Sequence, residues 1–388
     1  MIRLAVFGLL LALLTWWLFR RLTGPTELGP VARRAVGTAL IVLWALALVG
    51  VGSGEVFATS WARPPGAVGW VWLAAVLYLA AGLGVIAIGT GVTGLIRRRR
   101  RTPIESGSPE PAAGPTRRRV LRGATAAVVL AAIGAAGYGV VEAATPRVVR
   151  VRIPLRRLPA DFAGTRIALV TDVHVGPARG IGFTRKIVDI VNSEHPDLVL
   201  LGGDLVDGTV AKVGPDLAPL ADLSAPLGVF GVSGNHEFYA GDGGRWLDLW
   251  DTLGIHTLRN SRVELRRGDA VVDLAGIHDL TSPAPYEPDL QAALAGRDPD
   301  RAVLLLAHQP AQVLEAAELG VDLQMSGHTH GGQMWPLGYL VPLQQPSVTG
   351  LDRFGDTVLY TSRGAGAWGP PVRVASPPEI TLIELTTT

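Results

Sequence analysis

Five short segments of the chain combine aspartate, asparagine and histidine, the side chains with which proteins bind divalent metals, and each segment follows an apolar run. Imidazole nitrogens suit zinc and iron, whereas carboxylates suit harder ions such as manganese. In open α/β sheets, ligands bind at the carboxyl ends of the strands, so five such segments at one sheet edge would form a metal site. The candidate ligands in the segments 171–174, 202–207, 234–237, 307–309 and 327–333 are Asp172, His174, Asp204, Asn235, His308, His328 and His330.

The spacing of these residues also favours a site with two ions. One residue separates Asp172 from His174, and one separates His328 from His330, so an extended backbone would direct both side chains of a pair to one face. A carboxylate has two oxygens, and one such side chain can bridge two cations. Two metals about 3.5–4 Å apart can act on both the attacking and the leaving oxygen of an in-line displacement. A single Asp-x-His pair would more often be a surface turn, but chance is a poor explanation for five such segments in order.

Together, the five segments resemble the motif blocks of the calcineurin-like metallophosphoesterase superfamily, over roughly residues 150–388. The resemblance implies hydrolysis of a phosphate mono- or diester by a metal-bridging hydroxide, with two divalent metal ions (Mn, Fe or Zn) as cofactors. It also implies that His236 is catalytic, lying over the substrate phosphate and stabilising or protonating the leaving oxygen. The ligand set that it implies is Asp172, His174 and His330 for the first ion, Asp204 as the bridge, and Asn235, His308 and His328 for the second ion.

Two glycine-rich segments, residues 331–333 and 364–371, resemble the membrane-associated bacterial branch of this superfamily, which is related to UDP-diacylglucosamine pyrophosphatases. The fold that the resemblance implies is a sandwich of two mixed sheets flanked by helices. Many members carry Asp after the Asn-His pair, where this chain has Glu237, and we expect the longer carboxylate still to orient His236. We expect Asp207 to support the loop that carries Asp204.

Several other residues have structural interpretations that are as good as functional ones, or better. Arg179 is a weak candidate for a phosphate contact. Trp335 and Trp368 lie beside glycine-rich segments, where substrate contact and packing are equally good interpretations. The histidines for which we expect structural roles are His195, His256 and His278.

The elements that would position the site alternate between short β-branched runs and helical patterns, which predicts an α/β domain over residues 145–388. We predict strands at residues 148–153, 166–171, 198–201, 229–233, 270–277, 302–307, 323–326, 357–361 and 380–384. We predict helices at residues 182–194, 244–253, 289–295 and 311–319.

Residues 1–144 contain four apolar stretches and are predicted to be a membrane region. A helix needs about 20 apolar residues to cross the ~30 Å hydrocarbon layer. The first stretch is short, but Trp16 and Trp17 at its end suit a membrane interface. The predicted transmembrane helices are at about residues 4–19, 36–52, 68–96 and 123–141.

The charge distribution predicts the orientation of these spans. The net charge of +2 combines 15 arginines and 5 acidic residues in 1–144 with 20 basic and 28 acidic residues in 145–388. The arginines concentrate in the first and third connections, and positively charged loops remain cytoplasmic. We therefore expect a multi-pass cell-membrane protein with its catalytic domain on the outer, extracytoplasmic face. Residues 102–116 read as a flexible linker, and residues 116–122 resemble a twin-arginine export signal, with a plain arginine anchor as the alternative.

Composition excludes several classes of function. The chain has no cysteine, which excludes disulfides, thiolate metal sites and cysteine nucleophiles. The acidic balance of residues 145–388 argues against nucleic acid as a partner. The expected partners are the membrane and a phosphate-ester substrate, which a lipid could carry. The alternatives are a lipid-headgroup or nucleotide-sugar-lipid pyrophosphatase, and a membrane receptor with a degenerate phosphoesterase domain, which the complete ligand set disfavours.

Overall fold

Four long apolar helices form the first part of the chain in this computed structural model, which describes residues 2–24, 28–99 and 117–388. Each helix contains one predicted span and is long and apolar enough to cross a membrane by length and composition, so the prediction of four such helices is confirmed. The predicted linker at 102–116, and with it the first residue of the twin-arginine-like segment, lies outside the described residues. The helices are α1 (Ile2–Thr23), α2 (Pro30–Gly52), α3 (Thr59–Arg99) and α4 (Arg117–Ala143).

Two mixed six-stranded sheets follow, in the orders β1-β12-β2-β3-β4-β5 and β10-β11-β9-β8-β7-β6. Strands β2, β3 and β4 run parallel in the first sheet, and β7, β8, β9 and β11 run parallel in the second. The strands are β1 (Arg147–Leu155), β2 (Arg166–Val170), β3 (Leu198–Leu201), β4 (Val229–Gly231), β5 (His256–Thr257), β6 (Ser261–Arg267), β7 (Ala270–Gly276), β8 (Val303–Leu306), β9 (Leu323–Ser326), β10 (Gly350–Phe354), β11 (Thr357–Thr361) and β12 (Glu379–Thr387).

Apolar side chains fill the space between the sheets, and helices cover the outer faces. Leu200 of the first sheet and Leu304 of the second belong to the shared core. Trp246 and Trp250, one helical turn apart, are fully buried against the outer face of the first sheet. Because burying one large apolar side chain contributes about 1.5–3 kcal/mol, this core fixes the strands and hence the loops at their carboxyl ends. The covering helices are α5 (Ile181–Ser193), α6 (Val210–Val213), α7 (His236–Tyr239), α8 (Gly243–Thr252), α9 (Leu290–Leu294) and α10 (Val313–Glu318).

The predicted two-sheet sandwich with flanking helices is confirmed. Each of the nine predicted strands and four predicted helices overlaps an observed element, with ends that differ by a few residues. Strands β5, β6 and β10 were not predicted. Strand β5 has only two residues, and β6 and β10 are sheet-edge strands rich in charged side chains, so they lack the apolar runs that mark buried strands.

The sandwich contacts the membrane-region helices at the ends that lie away from the arginine-rich connections. Arg63, near the start of α3, forms a 2.6 Å ion pair with Asp216. Arg179 donates a 3.0 Å hydrogen bond to the carbonyl of Ala143, at the end of α4. Arg99 belongs to the opposite end of α3. The sandwich and the arginine-rich connections are therefore separated by the length of the helices.

Candidate metal centre

All eight candidate site residues lie in segments that directly follow parallel strands at one edge of the sandwich, and His236 begins α7. Three of these segments follow strands of the first sheet and two follow strands of the second, so the site forms where the two sheets meet. The segments carry Asp172 and His174 after β2, Asp204 after β3, Asn235 and His236 after β4, His308 after β8, and His328 and His330 after β9.

The first group of convergent side chains consists of Asp172, His174 and His330, whose ligand atoms all lie within 4.8 Å of one another. Nε2 of His174 lies 3.0 Å from Nε2 of His330, which in turn lies 3.3 Å from Oδ1 of Asp172. All three residues are buried. Two imidazole nitrogens and a carboxylate oxygen that face one point form a donor set that suits a transition metal such as zinc, iron or manganese.

The second group consists of Asp204, His308 and His328, again within 4.8 Å. Nε2 of His308 lies 3.2 Å from Asp204 Oδ2 and 3.2 Å from Nδ1 of His328. The other ring nitrogen of His308 is 2.8 Å from the Gly202 carbonyl, a contact that orients the ring toward the site. Asp204 Oδ2 is also 3.9 Å from Nε2 of His174, so this carboxylate lies between the two groups.

Asn235 provides an independent test of whether the site suits a cation. Its side-chain oxygen is buried and has no hydrogen-bond partner, whereas its Nδ2 donates a 2.8 Å hydrogen bond to the Tyr239 hydroxyl. Leaving a buried polar atom unsatisfied costs about 1–3 kcal/mol. An amide oxygen that is fixed in place and unpaired beside His and Asp ligand groups fits a metal ion as its missing partner.

The backbone of this edge is strained where the candidate ligands lie. A non-glycine residue with positive φ stores ~1–3 kcal/mol, and such residues cluster at functional sites. The loops also pack closely, since a Cβ at Gly203 would lie 2.5 Å from the Gly234 nitrogen. The candidate ligands in this conformation are Asp172 (φ 55°), His174 (φ 50°), Asp204 (φ 51°), His328 (φ 69°) and His330 (φ 53°).

Asp207 holds two of the histidine rings. Its Oδ1 lies 2.5 Å from Nδ1 of His236 and 3.0 Å from Nδ1 of His174, so both rings present Nε2 to the site. Burial lowers the pKa of His236, but the Asp204 and Asp207 carboxylates outweigh it and raise this pKa to about 9. Burial raises the pKa of Asp207, but the His174 and His236 rings have a larger, opposite effect. They hold the pKa of Asp207 well below its usual range. The sequence predicted only loop support for Asp207.

The expectation that Glu237 orients His236 was wrong. The Glu237 carboxylate is fully buried and accepts hydrogen bonds from the backbone nitrogens of Gly234 (2.7 Å), Asp204 (3.0 Å) and Leu205 (2.8 Å). It therefore joins the loop after β4 to the loop after β3, while Asp207 makes the hydrogen bond to the His236 ring. Burial, followed by the charge of Asp204, raises the pKa of Glu237 to about 7.

Two buried arginines support the site rather than face it. Arg373 donates to the carbonyls of His330 (2.8 Å) and Gly366 (2.7 Å), and burial lowers its pKa to about 9. No sequence motif includes Arg373, so the sequence analysis missed it. Arg179, considered above for a phosphate contact, instead donates to the carbonyls of Ala143 and Ala367 and is buried. The structure therefore gives Arg179 a positioning role.

A cavity of about 590 Å³ opens in front of the candidate ligands. His236 lies in its wall, and Trp368 lines it with a ring centroid 6.2 Å from that of His236, which places Trp368 within reach of a substrate. The lining also includes the apolar side chains of Leu337, Leu340 and Leu343. The cavity lining thus combines ligand-type and apolar side chains.

The histidines expected to be structural lie outside both groups. His278 is buried, with Nδ1 3.2 Å from the Ser233 hydroxyl and its ring against Phe238 and Tyr286. His195 follows the end of α5 and has a left-handed backbone, and His256 lies in β5. None of the three belongs to a metal-ligand group among the described residues.

Comparison with known proteins gives a consistent result. Residues 165–332 match the family model described as calcineurin-like phosphoesterase. A "Transmembrane protein with metallophosphoesterase domain" of Danio rerio is 38% identical over 259 residues, which are 64% of this chain and 59% of that protein. An "Uncharacterized metallophosphoesterase" of Helicobacter pylori is 39% identical over 246 residues, 62% of this chain and 64% of that protein.

A shorter relative is covered almost completely. An "Uncharacterized metallophosphoesterase" of Aquifex aeolicus is 31% identical over 256 residues, 64% of this chain and 95% of that protein. The chain spans less than two thirds of the length of the Danio rerio and Helicobacter pylori proteins. The match to the Aquifex aeolicus protein therefore carries the family assignment.

Proposed function

Because the chain belongs to the calcineurin-like phosphoesterase family, whose members are metal-dependent hydrolases, we propose that it hydrolyses a phosphate mono- or diester with two divalent cations. One observation carries this proposal: six Asp and His side chains converge in two groups, and the Asn235 amide oxygen, in the same cavity lining as Asp204, is buried and unpaired. Manganese, iron and zinc all suit this mixture of imidazole and oxygen donors.

In the proposed site, the first ion is held by the group around His330 and the second by the group around His308. Asp204, whose Oδ2 lies between the two groups, would be the ligand that both ions share. When bound, the cations would lower the pKa of a water molecule from ~15.7 toward ~7 and neutralise the phosphate oxygens. The proposed ligands are Asp172, His174 and His330 for the first ion, Asp204 for both, and Asn235, His308 and His328 for the second.

His236 is the proposed proton donor. Its Nδ1 is fixed by Asp207, and its ring lies in the cavity wall. In the metal-free protein the Asp204 and Asp207 carboxylates raise the pKa of His236 to about 9. With cations on Asp204, the contact of Nδ1 with the Asp207 carboxylate would still favour the protonated ring. The attacking water would lose one proton to solvent as its oxygen forms a bond to phosphorus. As the bond to the leaving oxygen breaks, the His236 imidazolium gives its proton to that oxygen, and the ring then takes up a proton from solvent. The products are an alcohol and a phosphate with one ester bond fewer.

We further propose that residues 1–144 anchor the enzyme and that residues 145–388 act on the outer face of the cell membrane. The arginine-rich connections are the ends expected in the cytoplasm. The sandwich contacts the other ends, through Arg63 near the start of α3 and Ala143 at the end of α4.

Two alternatives remain from the sequence. A lipid-headgroup or nucleotide-sugar-lipid pyrophosphatase would use the same centre, and the leucines that line the cavity favour a substrate that carries a lipid. A receptor with a degenerate domain is disfavoured, because every proposed ligand is present and placed at the site edge.

The full-length protein in lipid nanodiscs provides the test. After chelation and reloading with Mn²⁺, we expect hydrolysis of bis-p-nitrophenyl phosphate or p-nitrophenyl phosphate, with loss of activity in Asp204→Asn. His236→Ala should lose about 10²–10⁴-fold in kcat. Asp356→Asn, which alters an exposed carboxylate paired with Arg156, is the matched control. Full activity in Asp204→Asn, or activity that persists without metal, would refute the proposal.

A further inference from the structure

A second apolar feature begins directly after the candidate metal ligands. Residues 335–343, here named the apolar segment, read Trp-Pro-Leu-Gly-Tyr-Leu-Val-Pro-Leu and carry no charge. Several of its side chains project from the protein: Tyr339 is 77% exposed, Leu343 80%, Leu340 58% and Trp335 57%. Contiguous exposed apolar groups of this kind mark a binding surface on a protein.

The apolar segment is anchored on the membrane-region helices. Met334, which immediately precedes it, is buried in one cluster with Ala74 and Ala75 of α3 and Ala136 of α4, and Leu337 packs against the same cluster. The three alanines lie within the apolar stretches of their helices rather than in the connections. The apolar segment therefore packs, through Leu337, on two helices that are long and apolar enough to cross a membrane.

The inner side of the same segment forms part of the cavity. Leu337, Leu340 and Leu343 line the same cavity as His236 and Asp204. Leu340 and Leu343 thus face the cavity while much of their surface is exposed. A chain that contacts these leucines would run from the metal centre to side chains that are largely exposed.

We propose that the apolar segment inserts into the bilayer leaflet beside α3 and α4, and that the cavity takes its phosphate ester directly from that leaflet by an acyl chain. Lipid is the occupant that these observations favour. The segment is uncharged, Trp and Tyr such as its Trp335 and Tyr339 are enriched at membrane interfaces, and it packs on helices that are long and apolar enough to cross a membrane. The preference for an acylated ester rests on the proposed function, whereas the insertion of the segment does not.

The insertion can be measured without any activity. Because the chain has no cysteine, Leu343→Cys offers one site for an environment-sensitive fluorophore on the full-length protein in phosphatidylcholine vesicles. Nitroxide on the lipid acyl chains should quench this label, and aqueous iodide should not. Asp356→Cys is the control, because the Asp356 side chain is 82% exposed and pairs with Arg156. Arg156 directly follows β1, at the end of this strand that is farther from α4. The Asp356→Cys label should respond to iodide only.

The substrate preference is tested with two esters that share a leaving group, p-nitrophenyl hexadecyl phosphate in the vesicles and p-nitrophenyl ethyl phosphate in solution. The quantity compared is kcat/KM for the long-chain ester divided by kcat/KM for the short-chain ester. We expect the double variant Leu340→Ser, Leu343→Ser to lower this ratio by about tenfold or more. Leu314→Ser, at a leucine that is 58% exposed on α10, should keep the ratio of the parent protein.

The outcomes separate the two proposals. Quenching of the Leu343→Cys label by iodide would contradict insertion of the apolar segment. Quenching by neither reagent would also contradict it, because the label would then be covered by protein. An unchanged kcat/KM ratio in the double variant overturns uptake from the leaflet. If neither ester is hydrolysed by the metal-loaded protein, the proposed function fails, and the quenching result still decides the insertion.

Discussion

Asp207 Oδ1 lies 2.5 Å from Nδ1 of His236, so a carboxylate that binds no ion in the proposed ligand set fixes the orientation of the proposed proton donor. The same oxygen is 3.0 Å from Nδ1 of His174. One side chain thus links the ring that would donate a proton to a ring that would hold the first ion. Partners of this kind typically affect activity or metal affinity by 10–100-fold when they are changed.

Asp207→Asn should lower kcat about 10–100-fold and change the pH profile. Asp207 is among the groups that raise the pKa of His236, so removing its charge lowers that pKa. The protonated donor is then lost at a lower pH, and the alkaline limb of the kcat/KM profile should move to lower pH. The profile is measured with an aryl phosphodiester in the Mn²⁺-loaded protein. Asp356→Asn serves as the control, and a profile that is scaled down without moving would contradict this role of Asp207.

Asn235→Ala should weaken metal binding without weakening the metal-free fold. The Asn235 oxygen has no partner in the protein, so its removal breaks no hydrogen bond of that atom, although the contact of Nδ2 with Tyr239 is lost. We expect the Tm of the chelated protein to stay close to that of the parent, and the rise in Tm on adding Mn²⁺ to shrink, because ligand binding stabilises by RT ln(1 + [L]/Kd).

Asn235→Asp is the matched variant, because it keeps an oxygen at the same position. Its Mn²⁺-dependent rise in Tm should be closer to that of the parent than the rise in Asn235→Ala. Equal rises in the parent and in Asn235→Ala would show that this oxygen binds no ion.

The sequence predicts those parts of the molecule in which a run of similar residues determines the local secondary structure. Long uncharged runs predicted α1 to α4, and short apolar runs predicted the buried strands such as β3 and β8. The candidate ligands stood out because Asp, Asn and His follow those strands directly. Edge strand β6 was not predictable in this way, since its Arg and Glu side chains alternate at the surface.

The supporting contacts depend on loop conformation, which the sequence does not reveal. Asp207 and Glu237 exchange the roles expected of them: Asp207 contacts the His236 ring, and Glu237 accepts the backbone hydrogen bonds that join the two loops. Arg373 is distant in sequence from the carbonyl of His330 that it binds. The apolar segment is too short and too rich in Pro and Gly to be read as a span, and its packing on Ala136 appears only in the tertiary structure.

Glu237 should make the stability of the metal-free protein depend on pH. Burial and the charge of Asp204 raise its pKa from 4.5 to about 7 in the folded state. A carboxyl group with a raised pKa binds its proton more tightly in the folded state, so its contribution is fully present below about pH 4.5 and is lost as the pH rises through about 7. The loss should amount to about 1–3 kcal/mol.

Thermal unfolding of the chelated protein at several pH values checks this prediction. Glu237→Gln, which stays neutral, should flatten the decline in Tm between about pH 4.5 and about pH 7. Its Tm at low pH should lie below that of the parent if the amide cannot accept all three backbone hydrogen bonds. A decline in Tm over this pH range that is as steep in Glu237→Gln as in the parent would assign the effect to another group.

The position of the sandwich relative to the membrane can be determined with single cysteines, because the chain has none of its own. Thr388→Cys lies at the end of the sandwich, and Leu28→Cys lies in the first connection, where it alters no charge. Since the arginines of that connection favour the cytoplasm, a membrane-impermeant maleimide should label Thr388→Cys in intact cells and Leu28→Cys only after permeabilisation. The reverse pattern would place the metal centre in the cytoplasm. The cavity beside the apolar segment could then take a substrate only from the cytoplasmic leaflet.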